Sequence, residues 1–572
     1  MFELALFFVL VIALGWPLGR YLAAVMRGDP MRSDVLFGWI ERPIYWLLGT
    51  RPDAGMSWRG YAGAFLLSNL VLAIVVWLIF MTQAWLPLNP DGVPNMSWDL
   101  ALHTMVSFLT NTNQQHYSGQ AQLSYLSQMT GIVGLQVVTP VMGLALAAAI
   151  LRGLFGGRQM SGPAIADGAD KTIDVGNYWA DVTRATLRFV LPICLVVSVL
   201  LTWQGVPATL AAGPVAAPID AAADLKQQKI PLGPVAPMVA IKQLGSNGGG
   251  WYGPNSAVPL ENPTPLSNFI ETLAIPLVPV AIVFMIGPFT GRRRFGAMVF
   301  GTMFVMSLTL SLGALWTEGH SGVALDLALM EGKEVRLGAD ASALWATLTT
   351  QVNNGSVNSM LDSTAPLTGM IAMTGMLINA IWGGVGCGLA QFIVYLLLAV
   401  FICGLMTGRT PELFGRKIEA PEVRLLAVLV LLQPLVILGF TAAALIVPGV
   451  AGNSNPAFHG ISQVFYEYTS AFANNGSGFE GLGDATIWWN VTCSIVLAAG
   501  RYPALVIPLA IAAMLARKRR APETSGSLQI ETPTFALTLI GIIVILALLQ
   551  FMPVLVLGPV ADHLALTSLL AR

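Results

Sequence analysis

The chain has 572 residues, of which 55% are hydrophobic and only 10% charged, with a formal net charge of −1. Soluble domains carry about 25% charged residues, so the composition excludes an ordinary soluble enzyme, and the near-neutral balance offers no footprint for nucleic acid. Cys194, Cys387, Cys403 and Cys493 lie in or beside apolar runs without CxxC spacing, which indicates buried free thiols rather than a disulfide framework or a metal site.

A membrane-spanning helix needs about 20 apolar residues. In chain order, ten segments meet this with their flanks: Phe2 to Leu18, Tyr61 to Trp85, Gly131 to Leu151, Phe189 to Trp203, Phe269 to Ile286, Phe295 to Trp316, Leu367 to Met406, Leu425 to Val447, Val491 to Leu515 and Phe535 to Leu557. The first has no Lys or Arg ahead of it and begins with Glu3, so it is read as a retained helix, not a signal peptide. Lys and Arg stay on the cytoplasmic side. They cluster after segments one, three, five, seven and nine, from Arg20 to Arg59, Arg152 to Arg188, Arg292 to Arg294, Arg409 to Arg424 and Arg517 to Arg520. Every second connection is therefore cytoplasmic, and both termini are outside. The expectation is one all-α polytopic domain in contact with membrane lipid.

Four polar, Asn-rich loops fall between paired spans on the outer side: Thr110-Asn111-Thr112-Asn113, Ser246-Asn247-Gly248-Gly249, Asn353-Asn354-Gly355-Ser356 and Asn474-Asn475-Gly476-Ser477. Aligning Ser107-Phe108-Leu109 with Ala471-Phe472-Ala473 puts Asn111, Asn247, Asn354 and Asn475 in one column and Thr112 in the place of the following glycine. Apolar stretches too short to span, such as Trp98 to Leu109 and Ile461 to Phe472, run directly into the loops. Each unit thus reads helix, half-helix, loop, helix. Irregular backbone at membrane depth is tolerated only where protein buries it or it lines a watery cavity, and half-helices ending there aim their negative ends at the interior. A lone Asn-Gly is an ordinary turn dipeptide; four in matched topology point to a ring of backbone carbonyls that replaces the water shell of a cation such as potassium. Asn, Thr and Ser side chains are then either ligands or struts.

Gly383, Gly384, Gly386 and Gly388 interrupt the seventh segment, and glycine weakens a helix by about 1 kcal/mol each relative to alanine. Two half-helices are expected, joined by a loop that lies beneath the ring and blocks straight passage, or that merely kinks the helix for packing. Arg501, near the middle of the ninth segment, must face a polar interior, either repelling an ion from a central exit or pairing with a buried carboxylate or carbonyl. No GxxxxGK[ST] phosphate loop occurs, and Asp170-Lys171-Thr172-Ile173-Asp174 lacks the Gly and Thr of a phosphorylation motif, so it reads as a solvated loop. The Pro207 to Pro237 and Glu318 to Ala339 segments read as outer covers.

With the loops quoted above and Glu261-Asn262-Pro263-Thr264-Pro265-Leu266-Ser267-Asn268, the chain resembles, over essentially its whole length, the KdpA family, the potassium-binding chains of the bacterial Kdp potassium-transporting ATPase. The resemblance implies a pseudo-tetrameric, potassium-channel-like fold with pore units at 60–160, 180–291, 292–410 and 420–520. An extra N-terminal helix and cytoplasmic loop (1–59) and an extra C-terminal helix (530–572) flank them. It implies potassium as the bound ion, no nucleotide on this chain, and a bacterial plasma (inner) membrane. The partners it implies are the P-type ATPase catalytic subunit KdpB, together with KdpC and the small KdpF. A free-standing transporter of the Trk or Ktr type is the competing reading, since it too has four such units. A secondary transporter would need inverted repeats and a midplane acidic site, whereas these repeats run parallel.

Overall fold

A computed structural model describes residues 2–156, 173–220, 224–320, 327–522 and 527–570; Arg158 and Asp170 to Thr172 lie outside them. In chain order the helices are α1 (Phe2–Arg27), α2 (Asp34–Leu47), α3 (Trp58–Trp85), α4 (Trp98–Leu109), α5 (Ser127–Gly156), α6 (Tyr178–Gln204), α7 (Val235–Leu244), α8 (Pro265–Thr290), α9 (Arg293–His320), α10 (Ala339–Val352), α11 (Pro366–Ile378), α12 (Cys387–Met406), α13 (Ala420–Ile446), α14 (Ala457–Ala473), α15 (Ile487–Arg517) and α16 (Pro533–Ser568). Among the described residues ten of these are long and apolar enough to cross a membrane: α1, α3, α5, α6, α8, α9, α12, α13, α15 and α16.

The helix, half-helix, loop, helix order occurs four times, as α3-α4-α5, α6-α7-α8, α9-α10-α11/α12 and α13-α14-α15. Burial sorts each pair of spans. In the most apolar stretch of α5, α8, α12 and α15, 78%, 78%, 61% and 56% of residues are buried, against 22%, 44%, 44% and 22% in α3, α6, α9 and α13. The second helix of each unit is therefore the inner one, and the first presents apolar side chains such as Leu67, Leu70 and Ile74 outward, where lipid accepts them. Helix α1 lies along α8 through Gly15 and Gly19; a Cβ at Gly19 would stand 2.5 Å from the Ala281 carbonyl oxygen. Small residues four apart let two backbones approach this closely.

The seventh segment is broken as the glycines predict, α11 ending at Ile378 and α12 starting at Cys387. The connection between α1 and α3 holds more than a loop. It contains α2, with Val35, Leu36, Trp39, Trp46 and Leu47 exposed, the pattern of a helix lying in a membrane interface. Its other face is pinned by Arg188 of α6, whose Nε and Nη2 donate to Glu41 at 2.5 and 2.7 Å, with Nη1 on Asp34.

His459, near the start of α14, ties the fourth unit to its neighbours: Nε2 meets Asp362 at 2.8 Å and Nδ1 meets Asp562 of α16 at 3.0 Å. Burial opposes its charge, but the hydrogen bonds and charges of the two aspartates outweigh that and raise its pKa to about 9. A raised histidine pKa adds stability that is complete below the unfolded value, about 6.5, and disappears as pH rises through the folded value. The thermal unfolding midpoint of the detergent-solubilised protein should therefore fall between about pH 6.5 and 9, by up to about 3 kcal/mol in stability. His459→Gln should lower the midpoint at pH 6 and flatten that slope.

Candidate functional site

All four half-helices end with their C-termini at one place, and each terminates in a residue with left-handed backbone: Asn111 (φ 64°), Ser246 (φ 52°), Asn353 (φ 53°) and Asn474 (φ 57°). Two residues on, the backbone turns to positive φ again at Asn113 (59°), Gly248 (83°), Gly355 (88°) and Gly476 (104°). The equivalence is fixed by hydrogen bonds: the amides of Thr112, Asn247, Asn354 and Asn475 each donate to the carbonyl five residues earlier, on Ser107, Lys242, Thr349 and Ser470. The sequence alignment of the first loop is thus one residue out of register. Thr112, not Asn111, belongs with Asn247, Asn354 and Asn475, and Asn113, not Thr112, takes the glycine place. Asparagine tolerates left-handed backbone far better than a β-branched residue does, so the two asparagines occupy the positive-φ places and Thr112 the one between them.

The loops close a ring. A Cβ added at Gly248 would run into the carbonyl of Asn354, one at Gly355 into that of Asn475, and one at Gly476 into that of Thr112. The Asn113 side chain completes the circuit against Gly249, whose amide donates to Asn113 Oδ1 at 3.3 Å. Side chains brace the ring from behind. Asn354 Nδ2 donates to the Lys242 carbonyl and Asn475 Nδ2 to the Thr349 carbonyl, both at 2.9 Å, while their Oδ1 atoms accept from the amides of Ser356 at 3.0 Å and Ser477 at 2.9 Å. Asn474 Nδ2 reaches Thr112 Oγ1 at 3.1 Å, and Asn111 Nδ2 reaches the Ser246 carbonyl at 3.0 Å. Of the two roles open to these asparagines, the structure gives that of struts. The carbonyl oxygens of Thr112, Asn247, Asn354 and Asn475 accept no hydrogen bond from any described residue, so they are free to serve as cation ligands.

Outside the ring lies a vestibule of about 710 Å³, whose wall includes His116, Glu334, Glu467, Glu480 and Asp484 beside Lys333. Desolvation raises the carboxyl of the half-buried Asp484, against the pull of His116. Asp484 and Glu467 in turn raise the His116 imidazole, overcoming its burial.

Beneath the ring runs the glycine loop. The amides of Trp382 and Gly383 donate to the Gln351 carbonyl at 3.3 and 2.9 Å, and Asn353 Nδ2 donates to Asn379 Oδ1 at 2.6 Å. Gly383, Gly384 and Gly386 all have positive φ; Gly386 packs so tightly on Gly143 of α5 that a Cβ would strike its carbonyl, and Gly388 likewise meets Trp382. Arg501 is 4% exposed and reaches Cys387 Sγ and, at 3.4 Å, the Thr139 carbonyl; among the described residues it has no carboxylate partner. Asn111, Asn353, Asn474, Gly383, Gly384 and Arg501 line the small space under the ring. A side opening lined by Asn379, Gln391, Gln433 and Gln550 adjoins it.

The motif from Glu261 to Asn268 is a brace. Lys242 of α7, fully buried, donates to Glu261 and, at 2.6 Å each, to Asn255 and Ser256. Ser256 passes the network on to Glu271 at 2.7 Å, which also receives Gln243 Nε2 at 2.9 Å. Asn268 Oδ1 accepts from Asn358 beyond the third loop at 2.9 Å, and Thr264 and Ser267 cap α8 reciprocally. Sequence reasoning missed Lys242, Glu271 and Glu467. Their signal was a charged residue inside an otherwise apolar helix, which a buried partner must compensate.

The family model described as "Potassium-transporting ATPase A subunit" matches residues 5–564. Relatives named potassium-transporting ATPase potassium-binding subunit include those of Gloeobacter violaceus, 44% identical over 97% of this chain and 96% of the relative, and Pseudomonas putida, 43% identical over 98% of each. That of Caldanaerobacter subterraneus is 40% identical over 99% of both chains. Among solved structures, the potassium transporter TrkH of Vibrio parahaemolyticus superposes with a TM-score of 0.49 at 14% identity, covering 87% of this chain and 96% of that one. A match across nearly every residue, on a chain whose four loops close one ring, makes this protein a member of the potassium-transporting ATPase A subunit family.

Proposed function

We propose that this chain is the potassium-binding subunit of an ATP-driven uptake complex in the bacterial inner membrane, with its pore units divided as the sequence suggests. Potassium enters from the outer vestibule and sheds water against carbonyls of the four loops, chiefly those of Thr112, Asn247, Asn354 and Asn475. The ring's four unpaired carbonyls carry this reading, because oxygen dipoles held at fixed spacing replace a hydration shell only for an ion of matching size. Below the ring, the 380–386 loop and the Arg501 guanidinium oppose straight descent, and the side opening past Gln391 and Gln433 offers a polar way out. A guanidinium held in a low-dielectric interior repels a cation far more strongly than it would in water. The ion is then handed laterally to the P-type ATPase catalytic subunit KdpB, with KdpC and KdpF completing the assembly; ATP binds there, not here.

Purification from native membranes tests the reading. A P-type ATPase subunit should co-isolate, and the chain reconstituted alone should pass no potassium current. A chain that purifies alone and conducts in liposomes would instead favour the free-standing transporter.

A further inference from the structure

Beside the ring, four side chains with metal-ligand chemistry converge where the first loop meets the fourth unit. A ring nitrogen of His116, a carboxylate oxygen of Glu467 and Cys493 Sγ all lie within 4.8 Å of one another, and all three residues are buried. Asp484 Oδ2 is 3.8 Å from His116 Nε2. Glu467 belongs to α14 and Cys493 to α15, while His116 follows the first loop.

The hydrogen bonds around His116 decide its tautomer. Asn490 Nδ2 donates to Asp99 at 2.9 Å, so the Asn490 oxygen is the atom facing His116 Nδ1 at 2.8 Å. Nδ1 must carry a hydrogen, and Nε2 is left directed at Glu467 Oε1, 3.2 Å away, and at Asp484. A bare lone pair facing two carboxylates is repulsive, so a positive centre belongs between them, either a proton or a metal ion. A proton satisfies Nε2 and one carboxylate oxygen. It leaves unexplained Glu467 Oε2, which is buried with no hydrogen-bond partner among the described residues, and the free thiol of Cys493 at the same point.

We propose that His116, Glu467 and Cys493, with Asp484, form a binding site for a divalent transition-metal ion of the zinc class at the outer mouth of the ring. One nitrogen, one thiolate and two carboxylates are a tetrahedral donor set for such an ion, with bonds of roughly 2.0 to 2.3 Å. The Asp99–Asn490–His116 relay is the outer support that metal-bound imidazoles commonly have. The vestibule, whose wall includes His116, Glu467 and Asp484, supplies the entry path. Cys493 loses its proton to solvent on binding, as thiolate coordination requires. A bound ion would staple the first loop to α14 and α15 at the entrance of a cation path.

Cobalt(II) is the probe, added to the purified full-length protein. One equivalent should bind, giving a thiolate-to-cobalt charge-transfer band in the near ultraviolet that zinc displaces. Cys493→Ser should abolish the band although three other cysteines remain, and His116→Gln should weaken cobalt binding at least about tenfold. Asn490→Leu keeps every donor and should also weaken binding, which guards against a variant that simply misfolds. Zinc should in addition slow rubidium uptake by the parent complex and not by one carrying His116→Gln. Absence of the band at excess cobalt, or its survival in Cys493→Ser, would overturn the site without touching the potassium reading.

Discussion

Replacing Gly355 by aspartate should weaken the apparent affinity for potassium by about 10- to 100-fold while assembly and maximal ATPase rate of the complex persist. The residue has φ 88° and its α-carbon faces the Asn475 carbonyl so closely that no Cβ fits. Holding a non-glycine residue there costs about 1 to 3 kcal/mol, and each 1.4 kcal/mol is about tenfold in a binding constant. The strain is relieved by moving the third loop, which pulls the Asn354 and Asn475 oxygens out of register with the other two. Gly355→Ala isolates the steric part and should shift binding in the same direction; Gly248→Asp should act alike through Asn354. Rubidium uptake against external potassium is the measurement. An unchanged curve from well-expressed protein would remove the ring from the binding site.

The second large effect concerns folding. Lys242→Met should leave Glu261 as an uncompensated buried charge, and breaking such a pair costs about 3 to 5 kcal/mol. The variant should be recovered poorly from membranes and lose its monodisperse peak at a much lower temperature. Because the Lys242 carbonyl accepts from the amides of Asn247 and Gly248 and from Asn354 Nδ2, what survives should also bind potassium weakly. Lys242→Met combined with Glu261→Gln removes both charges and should regain most of the loss. If the single variant is as heat-resistant as the parent, the brace has no energetic role.

The spans, the four loops, the break between α11 and α12 and the burial of Arg501 were all legible in the sequence, because each leaves a mark in hydropathy or glycine content. The register of the first loop was not. The loop carries asparagine at both 111 and 113, so composition alone cannot say whether Thr112 or Asn113 matches Gly248. Likewise α2 escaped notice because its apolar residues are interleaved with Arg42, Glu41 and Asp34. The partner of Glu467 stayed hidden for a different reason: it meets Gln114, 353 residues away, and no local pattern carries that distance. The pairing order of the loops is tertiary information of the same kind.

The barrier and the ring share an anchor. Gln351, two residues before Asn353, holds the amides of Trp382 and Gly383, and Asn353 itself grips Asn379. The floor of the path therefore hangs mainly from the third loop, like a trapdoor hinged on one side of its frame, with a second tie from Asn379 Nδ2 to the Ala473 carbonyl before the fourth loop at 3.5 Å. Slack in that loop reaches the floor through three hydrogen bonds, whereas slack in the fourth reaches it through one.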